Sequence, residues 1–182
     1  MSAQAEPAAG GGELIEDPVL RQRYRLTQEG DVLRNELWAE PGARVPDHYH
    51  PAIEERFEVL EGEFTFKVNG KKQRAVPGDR LVVPAGARHS FENTGSGVSR
   101  FVAEIEPAMT MRGFFEDSSA LARAGKFKGP GVPKGLGGLL AGAELLDRYR
   151  DIMVVTTPPP ALQRVFNPLL ARVERRRRRR QR

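Results

Sequence analysis

Residues 47 to 62 read DHYHPAIEERFEVLEG and hold two of the chain's three histidines, His48 and His50; the third is His89. A carboxylate, Glu55, stands five positions after His50. On a β-strand, His48 and His50 project from the same face with Cα atoms roughly 7 Å apart, so both imidazoles can turn toward one ion while Tyr49 faces away. Pro51, Ala52 and Ile53 give the chain room to turn, so that Glu55 can present an oxygen to the same point, and His89 must arrive from a separate hairpin. Three imidazoles and one carboxylate make a nitrogen and oxygen donor set suited to a divalent transition metal: Fe(II), Mn(II), Ni(II), Cu(II) or Zn(II). A six-coordinate ion held this way keeps two positions open for water, O2 or a substrate. Glu54 is the alternative carboxylate, but the spacing favours Glu55 and puts Glu54 and Glu58 on solvated faces. No histidine is spent elsewhere in the chain.

Strands must bring these side chains together. Short runs with period-two alternation fill residues 24 to 106: VLRNELWA (32–39), RFEVLE (56–61), EFTFKV (63–68), KQRAV (72–76), RLVVP (80–84), HSFEN (89–93) and SRFVAEIE (99–106). Turn-forming clusters separate them, among them Asn69-Gly70, whose residues both tolerate the positive φ of a type I′ hairpin. Many short strands with glycine-rich turns imply an antiparallel sandwich or barrel. Phe57, Val59, Phe64, Phe66, Phe91 and Phe101 share faces with the candidate ligands or with one another; they are expected mostly in the core, a few lining an apolar mouth that suits a small organic molecule.

Two spaced blocks sharpen the reading. The first runs Gly42, His48, His50, Glu55, Gly62; the second runs Gly78, Pro84, Gly86, His89, Asn93; fifteen residues separate them. Over residues 30 to 106 the chain resembles the cupin family, whose two signature motifs these blocks match without a departure. The resemblance implies a mainly β fold, a double-stranded β-helix (cupin or jelly-roll barrel), with His48, His50, Glu55 and His89 at the four metal-ligand positions. It also implies a catalytic part for Glu55, which can serve as a base as in flavonol-cleaving cupins. The glycines and Pro84 are read as shaping turns, and Asn93 as a strand-end hydrogen bonder.

Around this barrel, residues 1–13 read as a disordered leader and residues 107–173 as a C-terminal α-helical extension packing on it. Within the extension, helices are expected over 111–127, 139–150 and 160–173, the last kinked or divided at Pro168. Residues 174–182 form an arginine-rich tail, expected to be a solvated terminus. The formal charge of +5 belongs to that tail: residues 172–182 contain eight arginines and one acid, leaving 21 basic and 23 acidic residues, a balance of −2, over the rest. Cysteine is absent, which excludes disulfides, thiolate ligands and a cysteine nucleophile. No stretch is apolar for long enough to span a bilayer and the start does not resemble a secretory signal, so a cytoplasmic location is expected.

The function expected is that of a metal-dependent dioxygenase-like oxidoreductase acting on a small-molecule substrate with O2. The alternatives are a non-catalytic metal- or metabolite-binding module and a metal-dependent isomerase. Nucleic acid is not expected as the main partner, since no aromatics interleave the arginines. The apolar face of the last helix (Leu162, Val165, Phe166, Leu169, Leu170 and Val173) has three covers open to it: the barrel, a partner subunit in a homodimer, or, with the arginines, an anionic membrane surface.

Overall fold

A computed structural model describes residues 12–180. In chain order its elements are β1 (Leu14–Asp17), β2 (Gln22–Glu29), β3 (Val32–Ala39), β4 (Arg44–Tyr49), β5 (Glu54–Glu61), β6 (Phe64–Val68), β7 (Lys71–Ala75), β8 (Arg80–Val83), β9 (His89–Asn93) and β10 (Ser99–Glu106). The helical part follows with α1 (Met111–Arg123), β11 (Phe127–Gly129), β12 (Val132–Pro133), α2 (Gly135–Arg148), β13 (Val154–Val155) and α3 (Pro160–Arg180). Two antiparallel sheets face each other, a six-stranded one in the order β1-β2-β3-β10-β5-β8 and a five-stranded one in the order β13-β4-β9-β6-β7.

Alternation explains which side chains meet between the sheets. Along β5, Glu55, Phe57 and Val59 are buried while Glu54, Arg56 and Glu58 are half-buried on the other face. On that outer face Arg56 bonds Glu54 at 2.9 Å and Glu106 at 2.5 Å. Phe57, Phe64, Phe66, Phe91 and Phe101 fill the interior, Phe101 lying 5.0 Å by ring centroid from both Phe64 and Phe91. Each such ring contributes about 1.5–3 kcal/mol by leaving water. The phenylalanines expected to lend a few rings to a ligand mouth are all core residues, at most 8% exposed.

The sheet begins earlier than the alternation suggests. Tyr24 and Leu26 of β2 are buried, and β1 pairs with β2 from Leu14, whereas the barrel was expected from residue 24. Arginine and glutamate dominate this segment, so few apolar residues mark its period. Of the expected leader, residues 1–11 lie outside the described residues.

In the helical part, α1 stops at Arg123, because the Gly125 and Lys126 N–H groups turn back onto the Ala122 and Leu121 carbonyls. Helix α2 starts at Gly135, four residues before the expected start. One of its glycines has a steric reason: a Cβ on Gly138 would lie 2.1 Å from the Lys126 carbonyl oxygen, so only glycine lets the helix pass that backbone. Helix α3 is continuous through Pro168, so it is not divided there, and it runs on to Arg180; residues 175–180 are exposed, as a solvated tail was expected to be, but they are helical. Buried Gln163, Ala171 and Glu174 hold it, and Arg178 reaches both Glu174 at 3.2 Å and Glu144 of α2 at 3.3 Å.

Candidate metal centre

The centre lies between the two sheets. Strands β4 and β9 run antiparallel with His48 directly opposite His89, after a register shift between Val45 and His48. His50 follows at the end of β4, and Glu55 comes from β5 in the opposite sheet, paired in register with Val83 and Ile105. All four side chains are buried, and one donor atom from each lies within 4.8 Å of the others. The imidazole centroids are 4.2 Å apart for His48 and His89, 5.0 Å for His48 and His50, and 5.3 Å for His50 and His89. The structure thus brings together every histidine and carboxylate singled out from the sequence. Glu54 and Glu58 point the other way, as their strand parity requires.

Each imidazole is oriented through its Nδ1. His48 Nδ1 lies 2.8 Å from the Pro46 carbonyl, His89 Nδ1 3.0 Å from that of Ala87, and His50 Nδ1 2.5 Å from that of Ile152. A carbonyl only accepts, so each Nδ1 carries the proton and each Nε2 lone pair is directed away from it. The first two carbonyls sit two residues upstream of their histidines, a local pattern. The third comes from the segment after α2, and no sequence signal points to it.

The Nε2 atoms of His89 and His50 lie 2.8 and 3.5 Å from Glu55 Oε2. Neither His50 Nε2 nor Glu55 Oε2 has a hydrogen-bond partner of proper geometry, although both are buried. Acceptors facing one another in a dry site repel unless a positive charge sits among them. A divalent cation fits that requirement, and the donor set is of the right chemistry for it. A proton is the other way to meet it: burial opposes charge on His50, but the Glu55 carboxylate outweighs burial and raises the imidazole pKa. Burial would likewise raise the Glu55 pKa, yet the neighbouring His50 and His89 hold it well below the usual carboxylate range. Burial, reinforced by His89 and His50, lowers the pKa of His48 to about 3, so this ring is neutral at physiological pH.

Around the centre, Asn93 is fully engaged at a strand end: Nδ2 donates to the Ala39 and Gly97 carbonyls, and Oδ1 accepts from Gly95 N–H and Ser99 Oγ–H. Tyr49 faces away from the imidazoles and lines a cleft of about 710 Å³ between the barrel and the helices. None of the four central residues lines that cleft. They are themselves 2–6% exposed, where a centre beneath an open cavity was expected.

Comparison with known proteins agrees with this architecture. Residues 39–103 match the Cupin_2 family model, described as a cupin domain. The tetracenomycin polyketide synthase protein TcmJ of Streptomyces glaucescens is 37% identical over 67 residues, covering 37% of this chain and 45% of that protein. Quercetin 2,3-dioxygenase of Bacillus subtilis (strain 168) is 37% identical over 68 residues, covering 37% of this chain and 20% of that protein. The chain spans under half the length of the first curated relatives it matches. Among solved structures, an RmlC-like cupin from Shewanella frigidimarina NCIMB 400 aligns with a TM-score of 0.51 at 20% identity, covering 61% of this chain and 99% of that one. At that identity the likeness is one of fold.

Proposed function

We propose, from the premise that residues 39–103 of this chain are a cupin domain, that the protein is a mononuclear metal-dependent oxygenase of a small organic molecule. The observation that carries the reading is the set of Nδ1 anchors. By holding His48, His50 and His89 in one tautomer, they point three Nε2 lone pairs at the Glu55 carboxylate inside a dry barrel. His48, His50, Glu55 and His89 would hold the ion, which when bound supplies Lewis-acid and redox chemistry.

The remaining work falls to the chain. The carbonyls of Pro46, Ala87 and Ile152 keep the imidazoles oriented, as partners behind metal ligands do. The apolar residues paired beside the donors, Val83 and Ile105 opposite Glu55 and Val68 opposite His89, keep the surroundings apolar, which strengthens each electrostatic contact inside. Glu55 is held ionised by His50 and His89, which is the form that ligates a cation; the same neighbours make it a weak base, so the structure favours the ligand part of its expected role over the proton-accepting one. The similarity to a quercetin dioxygenase over 68 residues supports an oxygen-dependent reaction on an enol or phenol.

Protein purified without added metal should contain one divalent transition ion per chain by elemental analysis, and should consume O2 with a member of a panel of enols and phenols. His50→Ala should lower metal content by more than tenfold while the far-ultraviolet spectrum stays β-rich. The tight burial of the four residues favours a second reading, a module that binds a metal or metabolite without turnover. Full metal occupancy with saturable ligand binding and no oxygen uptake would select it.

A further inference from the structure

Helix α3 carries an apolar stripe that no other element covers among the described residues. Leu162, Val165, Phe166, Leu169 and Val173 are each 49–59% exposed, although their spacing puts them on one face of the helix. The side that packs on α2 is a different one, marked by Gln163, Ala171 and Glu174. The stripe is about 17 Å long. Beyond it the same face continues as Arg176 and Arg180, three and seven positions after Val173.

The charges here are as unbalanced as the apolar surface. Arg175, Arg177 and Arg178 are tied to Asp147, Glu174 and Glu144. Arg176, Arg179 and Arg180 make no ion pair or hydrogen bond among the described residues. Residues 160–173 contain no acid.

A second copy of the chain is a poor occupant. Five half-exposed side chains offer well under the roughly 800 Å² that each partner of a standard interface buries. Antiparallel pairing of two α3 helices would also set the arginines of one against the acid-free stretch of the other. A nucleic acid would neutralise the arginines but leave the stripe in water. A lipid surface with anionic headgroups satisfies both features at once.

We propose that α3 docks on an anionic lipid bilayer, with the stripe entering the interfacial region and Arg176, Arg179 and Arg180 pairing with acidic headgroups. The test is co-sedimentation of the full chain with vesicles of phosphatidylcholine alone and of equimolar phosphatidylcholine and phosphatidylglycerol. Binding is expected to the mixed vesicles only, weakening as salt is raised. R176S/R179S/R180S should weaken it on the order of a hundredfold, at about fivefold per arginine. F166S/L169S should weaken it by more than about tenfold through lost apolar burial. L162S/V173S repeats that test at the two ends of the stripe, and the thermal unfolding of each variant shows that the fold is kept.

Absence of binding to mixed vesicles overturns the proposal. So does binding that both stripe variants leave unchanged, which would mark a purely electrostatic contact of the kind duplex DNA would share. A concentration-dependent dimer dissolved by F166S/L169S, without vesicle binding, would assign the stripe to a second copy instead.

Discussion

His48 is a buried imidazole that tolerates charge poorly, and this makes the metal-free protein sensitive to acid. Its pKa is ordinarily 6.5 and falls to about 3 in the fold, so between these values the unfolded chain binds the proton that the native state refuses. Stability therefore falls as pH drops below 6.5. Glu55, with its pKa lowered from 4.5, adds loss of the same sign at lower pH. His50 is shifted the other way and is protonated in both states below its unfolded value, so it does not offset the slope there. In chelator-treated protein, urea unfolding should show stability declining below pH 6.5 with a slope that approaches about 1.4 kcal/mol per pH unit roughly one unit lower. His48→Gln should flatten that slope. A second residue-scale prediction concerns Gly62, at φ +73, where a Cβ would lie 2.1 Å from Ser99 Oγ. Ser99 cannot step aside cheaply, because its hydroxyl serves Asn93 and Glu63. Gly62→Ala should cost about 3 kcal/mol, from left-handed strain plus overpacking, read as a lowered denaturant midpoint.

At the scale of elements, the junction of α2 and α3 rests on polar groups to an unusual degree. Glu144 and Glu174 are 7% and 6% exposed, and Arg178 answers both. Arg178→Ala leaves two buried carboxylates facing each other without that guanidinium. Since Arg178 itself is half-exposed and water can partly replace it, the expected loss is about 1–2 kcal/mol, short of that for a fully buried pair. Hydrogen exchange should accelerate in the second half of α3 and leave β5 and β10 unchanged. This pairing is also why the arginine run is a helix although it reads as a solvated tail. The acids that order it are one turn or one helix away, and composition alone does not show them. Elements with strong apolar alternation, such as β5, β6 and β10, were legible in the sequence near their observed bounds. Strand β4 was legible only through its histidines, since Pro46 and Asp47 break its pattern. Strand β1 was obscured by charge on both faces, and β2 by its short apolar run, only Tyr24 and Leu26 between two glutamines on the inner face. The candidate site was legible because strand parity and hairpin spacing, both local, put all four donors inside.

Across the whole molecule, the helical extension is part of the candidate site. Strand β13 adds to the five-stranded sheet beside β4, with Val155 opposite His48 and Val154 opposite Tyr49. Just before it, the Ile152 carbonyl takes the Nδ1 hydrogen of His50, a contact between residues 102 positions apart. Thr156 closes this junction: its N–H and Oγ–H each donate to the Asp47 carbonyl at 3.0 Å. The barrel can bring His50 to the centre, but which tautomer it presents is fixed by a segment that begins after α2. Thr156→Pro removes both donors to Asp47 and should loosen β13 from β4 without touching a ligand, a barrel core residue or the Ile152 side chain. Metal affinity, measured by competition with a chromophoric chelator, should fall about 10- to 100-fold, the range for losing a group that orients a ligand histidine. The same variant loaded with Co(II) should show an altered visible spectrum, because one imidazole is free to rotate. If affinity and spectrum both stay at wild-type values while exchange shows β13 detached, His50 is held by the barrel alone and the extension has no part in the centre.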